Sequence, residues 1–451
     1  MRRKVVISAL IGVILLTASC IGCIGGGMAV PIRPPGITGD NSGGAIGTYA
    51  VYETLTEQDY YVQRISPEGD FLWGERGVLI GSTGNGCPGS EAVSDGSGGA
   101  IVRWWECLPE VPGEPPSCQS YVARINAEGD VQWQWGREGV EIASMIADGA
   151  GGVIIGVLAG DAKPSLLKIG SEGNLPWGED GVSVGLWPER SDEMVSDGSG
   201  GVIVVRCTFQ GSDSVYAQKV DSQGNILWQP GAVQAYTGPA EEAQVVSDGA
   251  GGAIIAYMRD IPCEDGVGFC DSDIYAQRID AEGNVLWGPD GVPICTESAV
   301  VQNPQIVDDG AGGAIVFFVD ERVVCAQRVD ADGHKLWDEN VELPATTYYS
   351  LVSDGSGGAI CVWYGGGGIS AAAQRIDATG TKLWGLDGTT LTFRDLYLPG
   401  AVSDGCGGVL ISWSADVKIR NYEISDVSYY VQRVDANGDV VWGDEGILLE
   451  P

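Results

Sequence analysis

The acidic residues that could do chemistry recur at one fixed spacing. A turn of the form D-G-x-G-G begins at Asp95, Asp148, Asp197, Asp248, Asp309, Asp354 and Asp404, and the variant D-N-S-G-G begins at Asp40. Calcium needs roughly six to eight oxygen ligands, whereas each turn supplies a single carboxylate. Because an Asp side chain also hydrogen-bonds the backbone of its own turn, we predict turn stabilisation here and no metal site. Calcium binding stays open as the alternative.

Other catalytic chemistry has little support in the sequence. His334 is the only histidine, which excludes multi-histidine zinc sites and makes a His-based triad improbable at its place in a turn. A glycosidase or a lyase needs only two carboxylates at a suitable separation. With 61 acidic residues, however, the sequence offers no means of choosing a pair. We predict no catalytic residue and keep a carbohydrate-active enzyme that uses loop carboxylates as the alternative.

A set of aromatic residues could stack on a ligand. Five positions after the last Gly of the turn stand Tyr49, Trp104, Tyr257, Phe318, Trp363 and Trp413. Rings at the ends of strands can hold sugars or a peptide, or they can pack inside the core. Core packing is the preferred interpretation, and a ligand-stacking ring is the alternative.

These residues belong to a unit that occurs eight times. Each copy also has a Gly followed four residues later by a Trp, namely Trp73, Trp133, Trp177, Trp228, Trp287, Trp337, Trp384 and Trp442. In the fifth copy, residues 244–247, 253–257, 274–279 and 285–287 read as strands a, b, c and d joined by Gly-containing hairpin turns. Four short strands that recur about every 50 residues are typical of a propeller blade. We predict an all-β fold, an eight-bladed β-propeller of four-stranded antiparallel blades.

The predicted domain organisation follows the repeat. A signal peptide covers 1–19, a Gly- and Pro-rich tether covers 20–35, and the propeller covers 36–451 in blades of about 36–80, 89–142, 143–185, 190–235, 241–296, 302–343, 348–391 and 398–451. The Trp at the end of strand d is expected to pack against the neighbouring blade and fix the angle between the two. The repeated Arg of strand c is expected to pair with an acid of its own blade; its members are Arg64, Arg124, Arg278, Arg328, Arg375 and Arg433.

The N-terminus predicts export. Arg2, Arg3 and Lys4 precede an apolar stretch of signal-peptide length, 5–16, and the following Thr-Ala-Ser-Cys is similar to a prokaryotic lipoprotein cleavage box. We predict lipidation at Cys20, with Cys23 as the fallback. An uncleaved anchor over 5–24 is the third possibility, because that stretch contains no charge.

The twelve cysteines fit an oxidising compartment. Cys107 with Cys118, and Cys263 with Cys270, lie close in sequence inside polar loops and could close two short disulfide loops. Cys325 and Cys361 stand in apolar strands, where buried free thiols are expected.

The charge limits the partners. The formal net charge is −36, and removal of the three basic residues of the signal would make it −39. Such a field repels phosphate backbones and anionic lipid, so nucleic-acid binding is disfavoured, whereas cations and basic partners are attracted. We expect a monomer that contacts the membrane only through its lipid anchor and binds a protein or a glycan.

The segment from strand c to strand d carries a family resemblance. Residues 278–287, R-I-D-A-E-G-N-V-L-W, resemble the tryptophan-docking repeat of quinoprotein-type eight-bladed propellers, a group that includes the BamB-like outer-membrane assembly lipoproteins. The whole unit also resembles an uncharacterised repeat of bacterial surface proteins, D-G-x-G-G…A-Q-R-I-D-x-x-G-x-x-L-W. Quinone-dependent enzymes of this fold use adjacent cysteines beside the cofactor, and the sequence has no Cys-Cys dipeptide. The resemblance therefore implies the architecture, with a cofactor-dependent oxidoreductase as a distant third function.

The repeat also indicates where function lies. Strand direction alternates in a blade, so the a–b and c–d turns share one face, the turn face, and the b–c and d–a loops share the other, the loop face. The turn face is the same in every copy, and the loop face carries all the long and variable segments. Because binding usually resides in variable loops on a constant scaffold, we predict a non-catalytic binding or scaffolding propeller that uses its loop face.

Overall fold

The chain is described from a computed structural model. It covers residues 35–450 except for the segments 53–56, 85–88, 108–117, 138, 160–164, 186–192, 209–213, 229–230, 264–268, 297–300, 322, 345–348, 365–369, 393–396 and 421–422. In this part of the chain, no helix is long and apolar enough to cross a membrane. The lipidation prediction at Cys20 or Cys23 lies outside the described residues.

The described strands form eight sheets, and each sheet is built from strands that are consecutive in sequence and antiparallel. This confirms the eight-bladed β-propeller. Seven sheets have four strands, and the third has three strands plus a single bridge between Leu166 and Val182.

The strands of the first four blades are β1 Ile37–Gly39, β2 Ala45–Tyr52, β3 Glu57–Ile65 and β4 Val78–Gly84; β5 Ser90–Ser94, β6 Ala100–Cys107, β7 Cys118–Ile125 and β8 Val131–Gly136; β9 Val140–Ala147, β10 Val153–Ala159 and β11 Ser165–Ile169; and β12 Glu193–Ser196, β13 Val202–Thr208, β14 Ser214–Val220 and β15 Val233–Thr237.

The strands of the last four blades are β16 Ala240–Ser247, β17 Ala253–Pro262, β18 Phe269–Ile279 and β19 Val292–Cys295; β20 Val301–Asp308, β21 Ala314–Asp320, β22 Val323–Val329 and β23 Val341–Leu343; β24 Tyr349–Ser353, β25 Ala359–Tyr364, β26 Ser370–Ile376 and β27 Thr389–Thr392; and β28 Tyr397–Ser403, β29 Val409–Arg420, β30 Glu423–Val434 and β31 Ile447–Leu448.

The D-G-x-G-G turn forms because its Asp carboxylate accepts hydrogen bonds from backbone N–H groups of the same turn. In blade 5, Asp248 Oδ1 accepts the backbone N–H groups of Ala250 and Gly252 at 2.8 and 2.7 Å. Gly251 has φ +89°, a conformation that side chains with a Cβ rarely adopt, and a Cβ on Gly252 would lie 2.2 Å from the carbonyl oxygen of Ile279. The invariant glycines are therefore required by backbone shape and close packing.

The outer strand differs from the prediction. Residues 285–287 were expected to form strand d of blade 5, but Val285 makes only one bridge, with Ile279, and the paired outer strand is Val292–Cys295. Gly288 and Gly291 have φ values of +80° and +75°, so the chain bulges outward after the Trp and then returns to the sheet. The Gly-rich stretch that follows each Trp reads as a loop in the sequence, and this hid the second part of the strand.

The hydrophobic core lies between the blades. Each cluster of buried side chains joins consecutive blades, as in the packing of Trp287 with Ile294 and Phe318 between blades 5 and 6. One cluster contains Trp442 and Leu449 of blade 8 together with Ile46 of blade 1 and Trp104 of blade 2. Packing is therefore continuous around the ring.

Among the described residues, the ring closes without a strand shared between the first and last blades. Blade 1 is made wholly of β1–β4 and blade 8 wholly of β28–β31, so the C-terminal tail completes blade 8 and does not pair with blade 1. Strands β1 and β28 lie side by side, Ser412 Oγ donates to the Pro35 carbonyl at 2.9 Å, and Leu449 packs where Gly47 leaves room. The seam is thus held by side-chain packing of the kind found between the other blades.

Candidate functional site

The turn face is built from an ion pair that also links neighbouring blades. In blade 5, Arg278 Nη2 lies 2.9 Å from Asp248 Oδ2, with side chains 15% and 1% exposed. The same guanidinium donates from Nη1 to the carbonyl oxygen of Ala331, in the c–d turn of blade 6, at 2.8 Å. The same bond to a carbonyl of the next blade is made by Arg64, Arg124, Arg328 and Arg375, so these Asp–Arg pairs connect their own a–b turns to the next blade.

The tryptophan shares that acceptor. Trp287 Nε1 donates to the Ala331 carbonyl oxygen at 3.1 Å, and its ring packs on Gly333, where a Cβ would lie 3.0 Å from the ring. The Asp, the Arg, the Trp and the next-blade carbonyl together form what we call the clamp. The indole N–H donates across every seam, in the pairs Trp73–Ala127, Trp133–Ser171, Trp177–Ser222, Trp228–Ala281, Trp287–Ala331, Trp337–Ala378, Trp384–Ala436 and Trp442–Pro67.

Two clamps use lysine. Lys168 Nζ lies 3.2 Å from Asp148 and donates to the Gly200 carbonyl at 2.6 Å, and Lys219 Nζ lies 3.6 Å from Asp197 and donates to the Gly251 carbonyl at 2.6 Å. A lysine cannot form the planar fork that arginine offers to a carboxylate. The seams from blade 3 to blade 4 and from blade 4 to blade 5 therefore carry a variant of the clamp, in which the Lys and the Trp donate to two different carbonyls of the next blade.

The turn carboxylates are occupied by these contacts. One oxygen of each accepts two backbone N–H groups and the other faces Arg or Lys, as Asp309 shows with Ala311, Gly313 and Arg328. A cation would have to replace a positively charged side chain held inside the protein. The Asp of the D-G-x-G-G motif therefore has a structural role, which is to hold its own turn and to bind the Arg or Lys of strand c.

His334, the only histidine of the sequence, lies in the c–d turn of blade 6, with its side chain 75% exposed. Its Nδ1 is 3.2 Å from Asp330 Oδ2, and with Asp332 these groups form the one cluster of potential metal ligands among the described residues. Burial acts to raise the pKa of Asp330, but hydrogen bonds from the His334 and Asp332 backbone outweigh it and lower the pKa. Asp280 and Asp377 accept the same backbone bonds in their turns, so the cluster follows from turn geometry.

Asp40 is expected to make the stability of the fold depend on acid pH. Burial acts to raise its pKa, but hydrogen bonds from Ser42, Arg64 and Gly44 together lower it. A carboxyl whose folded-state pKa is depressed stabilises the fold above its unfolded pKa of about 3.9, and that contribution is lost as the pH falls through the folded value. We expect Asp40→Asn to cost roughly 3 kcal/mol at neutral pH, because Arg64 loses its charged partner, and to weaken the acid dependence. Urea unfolding of both proteins at a series of acidic pH values tests this; parallel curves would contradict it.

The six aromatic residues that could have stacked on a ligand are buried. Tyr49, Trp104, Tyr257, Phe318, Trp363 and Trp413 are at most 2% exposed. Tyr257 stacks on Tyr275 of the next strand, and its hydroxyl donates to the carbonyl of Asp290 in the bulge after the Trp, at 2.7 Å. All six rings therefore belong to the packed interior, as the core-packing interpretation expects.

The cysteines fall into two groups. Cys325 and Cys361 are buried free thiols, and burial raises the pKa of Cys325 to about 12. The backbone register places Cys107 opposite Cys118 at the end of the b–c hairpin of blade 2, a separation that suits a disulfide. The side chains of Cys107, Cys118 and Cys270 lie outside the described residues, so both disulfides stay predictions.

Toward the loop face, the innermost strands carry a ring of mostly polar residues around the central channel that is typical of a propeller. The position four residues before each turn Asp lies on the innermost strand in seven blades and directly before it in blade 1, and seven of its eight occupants are half-buried. We call this ring the collar; it consists of Gly36, Glu91, Ser144, Glu193, Gln244, Gln305, Ser350 and Gly400. No motif marks it in the sequence, although counting back from the repeated Asp reveals a position that is polar in six copies and differs among them.

The collar is not symmetric in charge. Glu91 Oε1 is 2.6 Å from Arg103 Nη2, and Arg103 also donates to the Ile142 carbonyl of blade 3. Glu193 Oε1 instead accepts from the amide of Gln244, at 3.0 Å. Burial raises the pKa of Glu193, and the Gln244 hydrogen bond opposes that effect only in part. In blade 2 the collar carboxylate, Glu91, is paired with an arginine, whereas in blade 4 the collar carboxyl, Glu193, is paired with a neutral amide.

Long hairpins stand around the collar. Strands β17 and β18 stay paired to Pro262 and Phe269 in blade 5, and β29 and β30 stay paired to Arg420 and Glu423 in blade 8. Strand β29 has twelve residues, whereas β25 of blade 7 has six. At about 3.3 Å per residue, the blade 8 hairpin extends roughly 20 Å farther than that of blade 7. The loop face is therefore a polar channel end beside projecting hairpins.

Comparison with known proteins gives only remote structural likenesses. No family model and no curated protein matches the sequence. Among solved structures, prolyl oligopeptidase B from Galerina marginata is 9% identical with a TM-score of 0.47, over 89% of this chain and 55% of that chain. An oligogalacturonate lyase in complex with manganese is 14% identical with a TM-score of 0.38, over 78% and 83%. A quinoprotein alcohol dehydrogenase-like protein from Bacteroides thetaiotaomicron is 10% identical with a TM-score of 0.37, over 87% and 91%.

Proposed function

We propose that this protein is a non-catalytic binding or scaffolding propeller, exported and held at the cell envelope of a prokaryote by a lipid on Cys20. The observation that carries the proposal is that the turn face is constant and structural, whereas the loop face varies from copy to copy. On the turn face, the repeated carboxylates are consumed in the clamps, as for Asp248 and Asp309. On the loop face, the copies differ in the collar and in the length of the b–c hairpins. The proposed ligand is a protein or a glycan held there.

The carboxyl groups near the channel also bear on the alternative, a carbohydrate-active enzyme. Glu193 and Glu242 belong to neighbouring blades, and burial raises the pKa of both. Catalytic carboxyls must face a common substrate. Glu193 instead bonds Gln244 of blade 5, and Glu242 Oε2 bonds the backbone N–H of Asn303 of blade 6 at 2.7 Å. Both groups are engaged in contacts between blades, and this favours a binding role over hydrolysis.

The test is an array of glycans and of envelope proteins, probed with the propeller from residue 35 onward, with and without calcium. We expect binding that survives chelation of calcium, and its loss when the blade 8 hairpin 416–427 is shortened to a two-residue turn. A charge change on the turn face, Glu282→Gln, is the matched control and should leave binding intact. Failure to bind either class of ligand would contradict the proposal, and release of reducing sugar from a bound glycan would favour the enzyme.

A further inference from the structure

The innermost strands of blades 4 to 7 are joined by a chain of polar contacts. Gln244 Nε2 donates to Glu193 Oε1 between blades 4 and 5, and the Asn303 N–H donates to Glu242 Oε2 between blades 5 and 6. Between blades 6 and 7, the Tyr349 hydroxyl donates to the Asn303 carbonyl at 2.7 Å, and Gln305 Nε2 donates to the Tyr349 carbonyl at 3.1 Å. The link is thus continuous over four blades, and two of its acceptors are carboxyl groups.

The backbone at this place departs from a regular strand. The register of β16 shifts between Glu241 and Gln244, and that of β20 shifts between Gln302 and Gln305. Glu242 and Asn303 stand at equivalent places in these two bulges and have φ values of +53° and +56°. Non-glycine residues hold such values only where their surroundings stabilise them. The bulges bring the Glu242 carboxyl to the Asn303 N–H.

We propose that Glu193 and Glu242 form a proton-controlled clasp on the inner strands of blades 4 to 6, closed when both carboxyls are protonated and loosened when they ionise. A protonated carboxyl accepts an N–H bond without bringing a charge out of water. An ionised carboxylate at the same place either stays desolvated at a free-energy cost or turns toward the water of the channel and releases its N–H partner. Both routes weaken the seams between these blades.

Two of the neighbouring cations are engaged elsewhere, because Lys219 faces Asp197 and Arg259 lies over the rings of Tyr236 and Tyr275. The titratable or charged side chains on the strands packed against β12 and β16 are Glu141 of β9, Arg206 and Cys207 of β13, Tyr216 and Lys219 of β14, Tyr257, Arg259 and Asp260 of β17, Asp308 of β20 and Tyr349 of β24, besides Glu241 of β16 itself. Burial raises the pKa of Glu242 most, the Asn303 N–H opposes it, and the charge of Glu241 adds to the increase.

The direction of the pH effect follows from these shifts. Folding raises the pKa of both carboxyls, so their contribution to stability is present below the unfolded value of about 4.3 and is lost as the pH rises through the folded value. This is opposite to the effect of Asp40, which destabilises the fold when the pH falls. The two kinds of carboxyl can therefore be separated by pH and by position.

The experiment is hydrogen exchange of the full chain, followed by mass spectrometry between about pH 4.5 and about pH 7.5 and corrected for the intrinsic exchange rate. We expect protection of peptides from β12, β16 and β20 to fall about threefold or more as the pH rises, while peptides from β2 and β3 keep theirs. The double variant E193Q/E242Q, which cannot ionise, should show no such fall. E282Q removes an exposed acid of blade 5 and should behave as the unmodified protein.

Two results would overturn the clasp. The first is protection of β16 and β20 that stays constant or increases with pH in the unmodified protein, since the carboxylates would then strengthen the seams. The second is an equal fall in the double variant. If that variant does not fold, Gln244→Leu offers a second route, because it removes the amide that donates to Glu193 without adding a charge, and it should reduce the pH effect in β12 and β16. The inference stands apart from the identity of the ligand.

Discussion

Replacement of Trp287 by Ala is expected to lower the free energy of unfolding by about 3–5 kcal/mol, the usual cost of deleting a large buried aromatic side chain. The ring is 8% exposed and packs on Gly333 of the next blade, so its removal opens a cavity at the seam between blades 5 and 6. The loss of the Nε1 bond to the Ala331 carbonyl adds to the cost. Urea unfolding followed by circular dichroism measures the change.

Two variants separate packing from hydrogen bonding at this seam. Trp287→Phe keeps most of the apolar ring and removes the N–H donor, and it should cost only about 1–2 kcal/mol. Leu286→Ala alters the adjacent residue, which is 45% exposed, and should change stability by about 0.5 kcal/mol or less. A cost for Leu286→Ala equal to that of Trp287→Ala would show that the clamp is not the source of the stability.

Replacement of Arg278 by Met is expected to cost about 3–5 kcal/mol, because Asp248 is left as an uncompensated charge that is 1% exposed. The change also removes the donor to the Ala331 carbonyl. Adding Asp248→Asn to the same protein should recover a part of the loss, because the buried charge disappears. Denaturant unfolding of the two single variants and the double variant gives the coupling energy between the side chains.

The lysine clamps provide an internal comparison. Lys219 lies 3.6 Å from Asp197, which is longer than the arginine contacts. Lys219→Met should therefore cost less than Arg278→Met, and Lys219→Arg should be neutral or stabilising if the fork can reach the Ala281 turn. Equal costs for Arg278→Met and Lys219→Met would indicate that burial of the Asp, rather than the planar fork, sets the energy.

The fold could be predicted because its constraints are local and recur in every copy. The sequence shows directly where each copy has a Gly for a positive φ, an Asp that bonds its own turn and a Trp at a fixed place. The course of strand d could not be predicted, because the glycines after Trp287 do not indicate that the chain returns to the sheet at Val292. The role of Gln277 could not be predicted either. Its Oε1 accepts a hydrogen bond from the backbone N–H of Trp287, and its Nε2 donates to the Gly288 carbonyl. A Gln in this place in six of the eight copies was the available signal.

The candidate site was harder to predict than the scaffold. The variable loops indicated the loop face, but most of the collar lies on strands, where the same repeat position carries Glu193 in one copy and Gln244 in the next. The aromatic set shows the opposite difficulty. A ring for ligand stacking and a buried packing layer have the same sequence pattern, and burial of Tyr257 beneath Asp290 decides between them only once the bulge is known.

The absence of a shared closing strand has a consequence for how the molecule is oriented. Strand β1 runs toward the turn face and β31 runs away from it, so the chain enters and leaves the ring on the side that carries the hairpins. If Cys20 carries the proposed lipid, the predicted tether 20–35, which can span at most ~50 Å, attaches the ring to the membrane from its loop face. Immobilisation through the N-terminus would hide that side in an assay. Cys406, an exposed free thiol in a turn of blade 8, lies on the opposite surface and offers an attachment point that leaves it accessible.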